Sequence, residues 1–107
     1  MDFRCSHILL SHVDAEAASH PRSFDQAYEE AQRILKEIKD GRISFQEAAA
    51  KNSHCASGPR NGGDLGWKNE FEMPYEFVNA VRHIPIGDIS EFPIVTEAGV
   101  HIVLRTG

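Results

Sequence analysis

Polar and apolar positions follow two rhythms along this chain, and each change of rhythm marks an element. Arg4 to Leu10 is short and apolar in its second half, Ile8-Leu9-Leu10, which predicts a strand. Residues 11 to 23 are polar, rich in Ser, His, Asp and Ala, and predict a loop. Ser23 with Gln26 three residues on has the form of a capping box, in which hydroxyl and amide each satisfy a backbone N–H of the other. Behind it, Phe24, Ala27, Tyr28, Ala31, Ile34, Leu35 and Ile38 recur at helical spacing and predict one buried face, with Gly41 as the stop. Ser44-Phe45-Gln46-Glu47 repeats the capping signal and opens a second helix that carries Phe45, Ala48 and Ala49 and ends near Asn52.

The second half is more broken. Ser53 to Gly63 is punctuated by Gly58-Pro59, Asn61-Gly62 and Gly63 and predicts a loop, followed by a very short strand at Leu65-Gly66-Trp67. Pro74 suits the first turn of a third helix, where its missing N–H removes no bond, with Phe77, Ala80 and Val81 facing inward. Met73 and Phe77, four apart, would share a face of that helix as core. Pro85 ends it, and Ile86-Gly87-Asp88 makes a turn. Ile89 to Val95 predicts a strand whose middle Pro93 confines to an edge or an irregular stretch. Glu97-Ala98-Gly99 predicts a hairpin turn and Val100 to Leu104 the last strand. A closing hairpin requires an antiparallel pair, so the expected class is α+β, with helices packed around a small sheet.

Totals narrow the picture. A chain of 107 residues has the length of one domain, residues 1–107, whether alone or cut from a longer protein. No apolar run approaches the length of a membrane-spanning helix. The net charge is −5 and the basic residues are scattered, which sets nucleic acid aside as the main partner. Met1-Asp2-Phe3-Arg4 lacks the basic-then-apolar order of a secretory signal. Cys5 and Cys55 are therefore expected as free thiols in a reducing compartment, cytoplasmic or nuclear, and nothing demands more than a monomer.

The candidate chemistry centres on two histidines. His7 and His101 each stand before an apolar run on a predicted strand. If those strands pair, the imidazoles meet over one face of the sheet; the competing reading has each facing solvent. Cys55 follows Ser53-His54 and precedes a Gly-rich loop, a place for an inert thiol, a nucleophile, a metal ligand or a polar wall. Cys55 with His7 or His101 would make a thiol-hydrolase nucleophile, but no oxyanion-hole element accompanies them. A metal set of His7, His54, Cys55 and His101 suffers from the adjacency of His54 and Cys55 and the lack of a CxxC pattern. Leu65, Met73 and Phe77 offer apolar surface near the same loop, and Thr96 a hydroxyl at the hairpin.

Together these residues resemble a known family. Arg4-Cys5-Ser6-His7-Ile8-Leu9-Leu10 resembles the opening strand of parvulin isomerases, and Gly62-Gly63-Asp64-Leu65-Gly66 their glycine-rich signature. Met73 with Phe77 resembles their proline-pocket pair. Gly87-Asp88-Ile89-Ser90, then Pro93, then Thr96 and Gly99 to Val103 resemble their closing segment. The match runs in order through nearly the whole chain. The resemblance implies a parvulin/FKBP-like fold: four antiparallel strands, the first and last side by side in the centre, with about three to four helices around them. It implies a peptidyl-prolyl cis/trans isomerase acting non-covalently on Xaa-Pro bonds in peptides and proteins, with no cofactor and no metal.

The same resemblance assigns His7, Cys55, Thr96 and His101 to a polar catalytic floor and Leu65, Met73 and Phe77 to an apolar seat for the proline ring. His7 and His101 are expected to hydrogen-bond to one another and orient Thr96. Cys55, where some parvulins carry Asp, is expected to tune the local field. Phosphate-directed parvulins place several Lys or Arg residues in the loop after the first strand. Here residues 11 to 22 hold two acids, Asp14 and Glu16, and one arginine, Arg22, so dependence on phosphorylation is not expected and basic residues before proline are tolerated. Ala98 stands where relatives often carry Ser. The alternative under this resemblance is a non-catalytic domain that holds unfolded chains.

Overall fold

The computed structural model describes residues 1–107. Strand β1 (Asp2–Leu10) leads through a long loop to α1 (Phe24–Lys39), α2 (Phe45–Asn52) and the short α3 (Ser57–Asn61). Then come β2 (Asp64–Asn69), a 3₁₀ turn (Glu70–Glu72), α4 (Tyr75–Arg82), β3 (Ile94–Thr96) and β4 (Gly99–Arg105). The four strands form one antiparallel sheet in the order β2-β1-β4-β3, so the first and last strands of the chain are its centre.

The period of two along the central pair sorts side chains between two faces. Ile8 pairs with Ile102 and Leu10 with Val100, and this face packs against Ala27, Ala31, Ile34 and Leu35 of α1 and Phe45, Ala48 and Ala49 of α2. The opposite face carries Phe3, Cys5 and Val103 and packs against Phe77, Val78 and Val81 of α4. His7 and His101 belong to this second face, because His7 lies opposite Val103 and His101 opposite Leu9.

Local signals set the helices of the first half. Ser23 Oγ accepts from the Gln26 N–H at 3.1 Å, and Gln26 Oε1 accepts from the Ser23 N–H at 2.8 Å, closing the expected box. At α2 only half the box forms: Ser44 Oγ accepts from the Glu47 N–H, with no return bond from Glu47.

Several expectations need correction. The segment from Ser53 to Gly63 is not all loop: Ser57 to Asn61 winds into α3, closed by Gly62 in a left-handed conformation whose N–H reaches the Gly58 carbonyl. The strand expected at Leu65–Trp67 extends over Asp64–Asn69. Met73 does not share a helix face with Phe77. It precedes α4 in an extended conformation, φ −125° and ψ 155°, because the ring of Pro74 disfavours a helical residue before it. Within α4, Val78 is buried beside Phe77 and Val81, while Ala80 is only half-buried.

The strand expected from Ile89 to Val95 is split. Ile89 bridges Leu104, and Ser90 exchanges bonds with Val103, its N–H donating to the carbonyl and its Oγ accepting from the N–H. The chain then leaves the ladder after Ser90, bends through Glu91 and Phe92, and re-enters as β3 just past Pro93, which has no N–H to donate.

One glycine bears on the site. Gly63 has φ +89°, its carbonyl accepts from the His7 N–H at 2.9 Å, and a Cβ there would lie 2.5 Å from the His7 carbonyl oxygen. Gly41 shares the positive φ, +75°, but has open space around it. Gly63→Ala is expected to lower stability by roughly 3 kcal/mol, combining the left-handed penalty with a backbone clash. Gly41→Ala carries the conformational penalty alone, about 1–2 kcal/mol. Urea denaturation of the two variants tests this, and equal losses would show that close approach at Gly63 contributes nothing.

Candidate active site

The two histidines meet diagonally across the β1–β4 pair. His7 Nδ1 and His101 Nδ1 are 3.0 Å apart, so one ring donates an N–H and the other accepts it. The rings stack with centroids 5.2 Å apart and planes tilted by 24°. His101 Nε2 lies 2.7 Å from Thr96 Oγ1, at the tip of the β3–β4 hairpin. The Ala98 N–H donates to the same hydroxyl oxygen at 3.2 Å, so the turn itself holds the threonine in place. Thr96, His101 and His7 thus form a continuous hydrogen-bonded line over residues buried to 7% exposure or less.

Burial has an electrostatic consequence. Desolvation penalises a charge on His101, and a positive His7 would oppose it further, so its pKa falls to about 3. His101 is therefore a neutral imidazole, one nitrogen donating and the other accepting.

Cys55 arrives from another direction. Ser53 Oγ accepts from the Leu9 N–H at 3.0 Å and the Cys55 N–H at 3.2 Å, and the His54 N–H donates to the Leu9 carbonyl at 2.7 Å. His54 Nδ1 accepts from the Ser11 N–H at 2.9 Å. These bonds stitch residues 53 to 55 along the end of β1. The Ser57 hydroxyl donates to Cys55 Sγ at 3.2 Å.

The thiol is drawn down to about 6, chiefly by the His7 ring and then by Ser57, against the opposing effect of burial. His7 Nε2 is buried and closes no hydrogen bond, and His7 Nδ1 is engaged with His101. Nε2 is thus the nitrogen left to face the half-buried thiol, close enough to influence it without a bond being made. Cys5, by contrast, is fully buried and its thiol is pushed up to about 12, which leaves it inert.

The apolar residues assemble beside this line. Phe77 sets its ring edge-on to both imidazoles, with centroids 6.0 Å from His7 and 5.4 Å from His101. Leu65 and Met73, both half-buried, pack on the cluster that contains Phe77. Phe77 itself is fully buried, so in the free protein it backs the histidines and the accessible apolar surface belongs to Leu65 and Met73.

Sequence reasoning missed the supporting residues Ser53 and Ser57, whose small hydroxyls flank Cys55 but carry no motif of their own. It also missed His20 and Arg22 as neighbours of the site. His20 stacks on His54 with centroids 5.2 Å apart, and Arg22 Nε donates to His20 Nδ1 at 3.1 Å. In His12, His20 and His54 alike, Nδ1 accepts a backbone N–H, which leaves the proton on Nε2 and makes each ring a donor rather than a metal ligand. No group of three or more His, Cys, Asp or Glu side chains is arranged to hold a metal ion.

Comparison with known proteins identifies the family of the chain. The family model described as Rotamase, PPIC-type PPIASE domain, matches residues 7–107. A peptidyl-prolyl cis-trans isomerase Pin1 of Digitalis lanata is 33% identical over 114 residues, spanning 97% of this chain and 95% of that protein. A chaperone SurA of Alcanivorax borkumensis is 40% identical over 88 residues, and there the match spans only 19% of the relative. The structure of peptidyl-prolyl isomerase ESS1 from Candida albicans superposes with a TM-score of 0.92 at 30% identity, covering 99% of this chain and 63% of that one. With His7, Cys55, Thr96, His101 and the apolar residues Leu65, Met73 and Phe77 all inside the residues that the family model matches, the chain belongs to the PPIC-type, or parvulin, family of peptidyl-prolyl cis/trans isomerases.

Proposed function

We propose that the isomerase acts on Xaa-Pro bonds without a covalent step, that His7, Cys55, Thr96 and His101 form its catalytic floor, and that Leu65, Met73 and Phe77 seat the proline ring. The observation that carries this reading is the line Thr96–His101–His7, ending at an acidified Cys55 and bordered by the apolar cluster. Rotation about a prolyl bond must break amide resonance, a barrier of roughly 20 kcal/mol. A thousandfold acceleration needs only about 4 kcal/mol of that. Gripping the ring, excluding water and arranging the local field can supply it.

The field follows from the hydrogen positions. If the Thr96 hydroxyl donates to His101 Nε2, His101 Nδ1–H donates to His7 Nδ1, and His7 Nε2–H points toward Cys55. Every hydrogen in the line is then directed at the thiolate, which matches His7 being the main cause of its low pKa. A planar amide carries more negative charge on oxygen than a twisted one. A thiolate beside that oxygen therefore disfavours the planar ground state relative to the twisted transition state. An Asp carboxylate in place of Cys55 meets the same demand.

Phosphate is not part of this reading. The loop of residues 11 to 22 is tied to the hairpin by the Glu16 N–H donating to the Glu97 carbonyl at 2.6 Å, which brings two acidic residues to the rim near Thr96. Arg22 is engaged with His20. The alternative, a domain that only holds unfolded chains, has no use for a complete hydrogen-bonded line beside an acidified thiol. NMR exchange on short Xaa-Pro peptides separates the two: the holding domain leaves the exchange rate untouched.

Three outcomes are expected. A phospho-Ser-Pro peptide is turned over no faster than its unphosphorylated twin, and a preference of about tenfold or more for the phosphorylated form contradicts the loop argument. Next, kcat/KM of the native enzyme rises with pH through about 6 as Cys55 ionises. Cys55→Asp moves that inflection to about 4, the ordinary carboxylate range, with activity within about tenfold of native. An unmoved inflection, or a loss beyond about a hundredfold, counts against the field role.

The third concerns stability. The unfolded chain protonates His101 near 6.5 and the folded protein only near 3, so stability is full above about pH 6.5 and drains as pH falls toward 3. His101→Gln flattens that part of the curve in urea denaturation at a series of pH values. The same acid slope in both proteins would rule His101 out as its source.

A further inference from the structure

The chain segment that delivers Met73 to the site also presents two bare aromatic rings. Phe71 and Tyr75 lie two residues before and two residues after Met73, and they are 89% and 77% exposed. Isolated apolar residues on a surface need no explanation, but these two are held on a fixed support. The Asn69 side chain accepts from the Phe71 N–H at 3.1 Å and donates to Asp2 at 2.8 Å, while the Asn69 N–H donates to Glu72 at 2.8 Å. The Glu70 N–H donates to the Met1 carbonyl, and the Glu70 side chain pairs with Arg82 of α4. The aromatic rings therefore stand on a backbone already ordered from both sides, which lowers the entropy lost when something docks on them.

The same stretch is acidic. Glu72 and Glu76 are exposed, and neither takes part in an ion pair. Apolar rings beside carboxylates that no cation neutralises complement a segment that carries a large apolar side chain and a cation.

We infer that Phe71 and Tyr75 extend the proline seat as a specificity rim, selecting prolyl bonds flanked by an aromatic or large aliphatic residue with a Lys or Arg nearby. The inference rests on the assignment of Met73 to the proline seat, since continuity with that residue is what makes the occupant a substrate segment. The rim acts on which proline is chosen; the floor beneath carries out the rotation.

The test is a panel of short peptides in which the residues on each side of proline are varied, with NMR exchange giving kcat/KM. The native enzyme is expected to favour a Phe-flanked, Lys-containing peptide over a Gly-flanked one by about tenfold. In Phe71→Ser/Tyr75→Ser that ratio is expected to fall below about threefold. Both positions are exposed, and an unchanged ¹⁵N spectrum elsewhere verifies the fold. An unselective native enzyme, or a variant that keeps the native ratio, overturns the rim.

Should the native protein turn over no peptide at all, the catalytic reading fails and the rim is judged by binding. Titration with the Phe-flanked peptide must then shift the Phe71 and Tyr75 amide signals, and signals that stay in place overturn it. Broadening at these two residues that grows with protein concentration, without peptide, assigns the patch to a second copy of the chain and likewise overturns the proposal.

Discussion

Everything at the site depends on the register of β1 against β4. With Leu9 opposite His101 and His7 opposite Val103, the two imidazoles fall on the same face one step apart along a diagonal, close enough for a 3.0 Å contact. A slip of one residue would turn one ring through the sheet into the apolar layer beneath α1 and α2. That register is enforced by the other face, where Ile8 and Leu10 interlock with Ile102 and Val100 under two helices. The packing that stabilises the protein and the geometry that positions its chemistry are therefore opposite sides of the same strand pair.

The second face is divided along its length. Toward one end Phe3, Cys5 and Val103 pack against α4, while His7 and His101 make the other part polar although both are buried. A buried polar pair is tolerated only when its hydrogen bonds close. His101 has both nitrogens engaged, and His7 has one. The exception is His7 Nε2, on the ring that does most to lower the pKa of Cys55.

Rigidity comes from short-range stitching around this line. Gly63 lets the loop after α3 lie against His7, Ser53 and His54 lash the Cys55 segment to the end of β1, and the Ala98 N–H pins Thr96. Side chains held in fixed orientation by such bonds are what the proposed non-covalent rotation would call on, as an arranged field rather than as moving reagents.

The sequence by itself determined what depends on neighbours a few residues away. The capping box at Ser23, the helical spacing from Phe24 to Ile38, the turn at Glu97 and Ala98 and the strand of His101 are all local patterns, and the family motifs ride on them. Tertiary structure decided the rest. Whether the run from Ile89 to Val95 stayed in the sheet was one such matter: it leaves the ladder after Ser90 and rejoins it at Ile94. The contact between His7 and His101 joins positions 94 residues apart, and the neutrality of His101 and the acidity of Cys55 follow from burial and from that long-range neighbour. Spacing along a chain records backbone hydrogen bonding and side-chain periodicity; register, desolvation and acidity arise only when distant segments exclude water from one another.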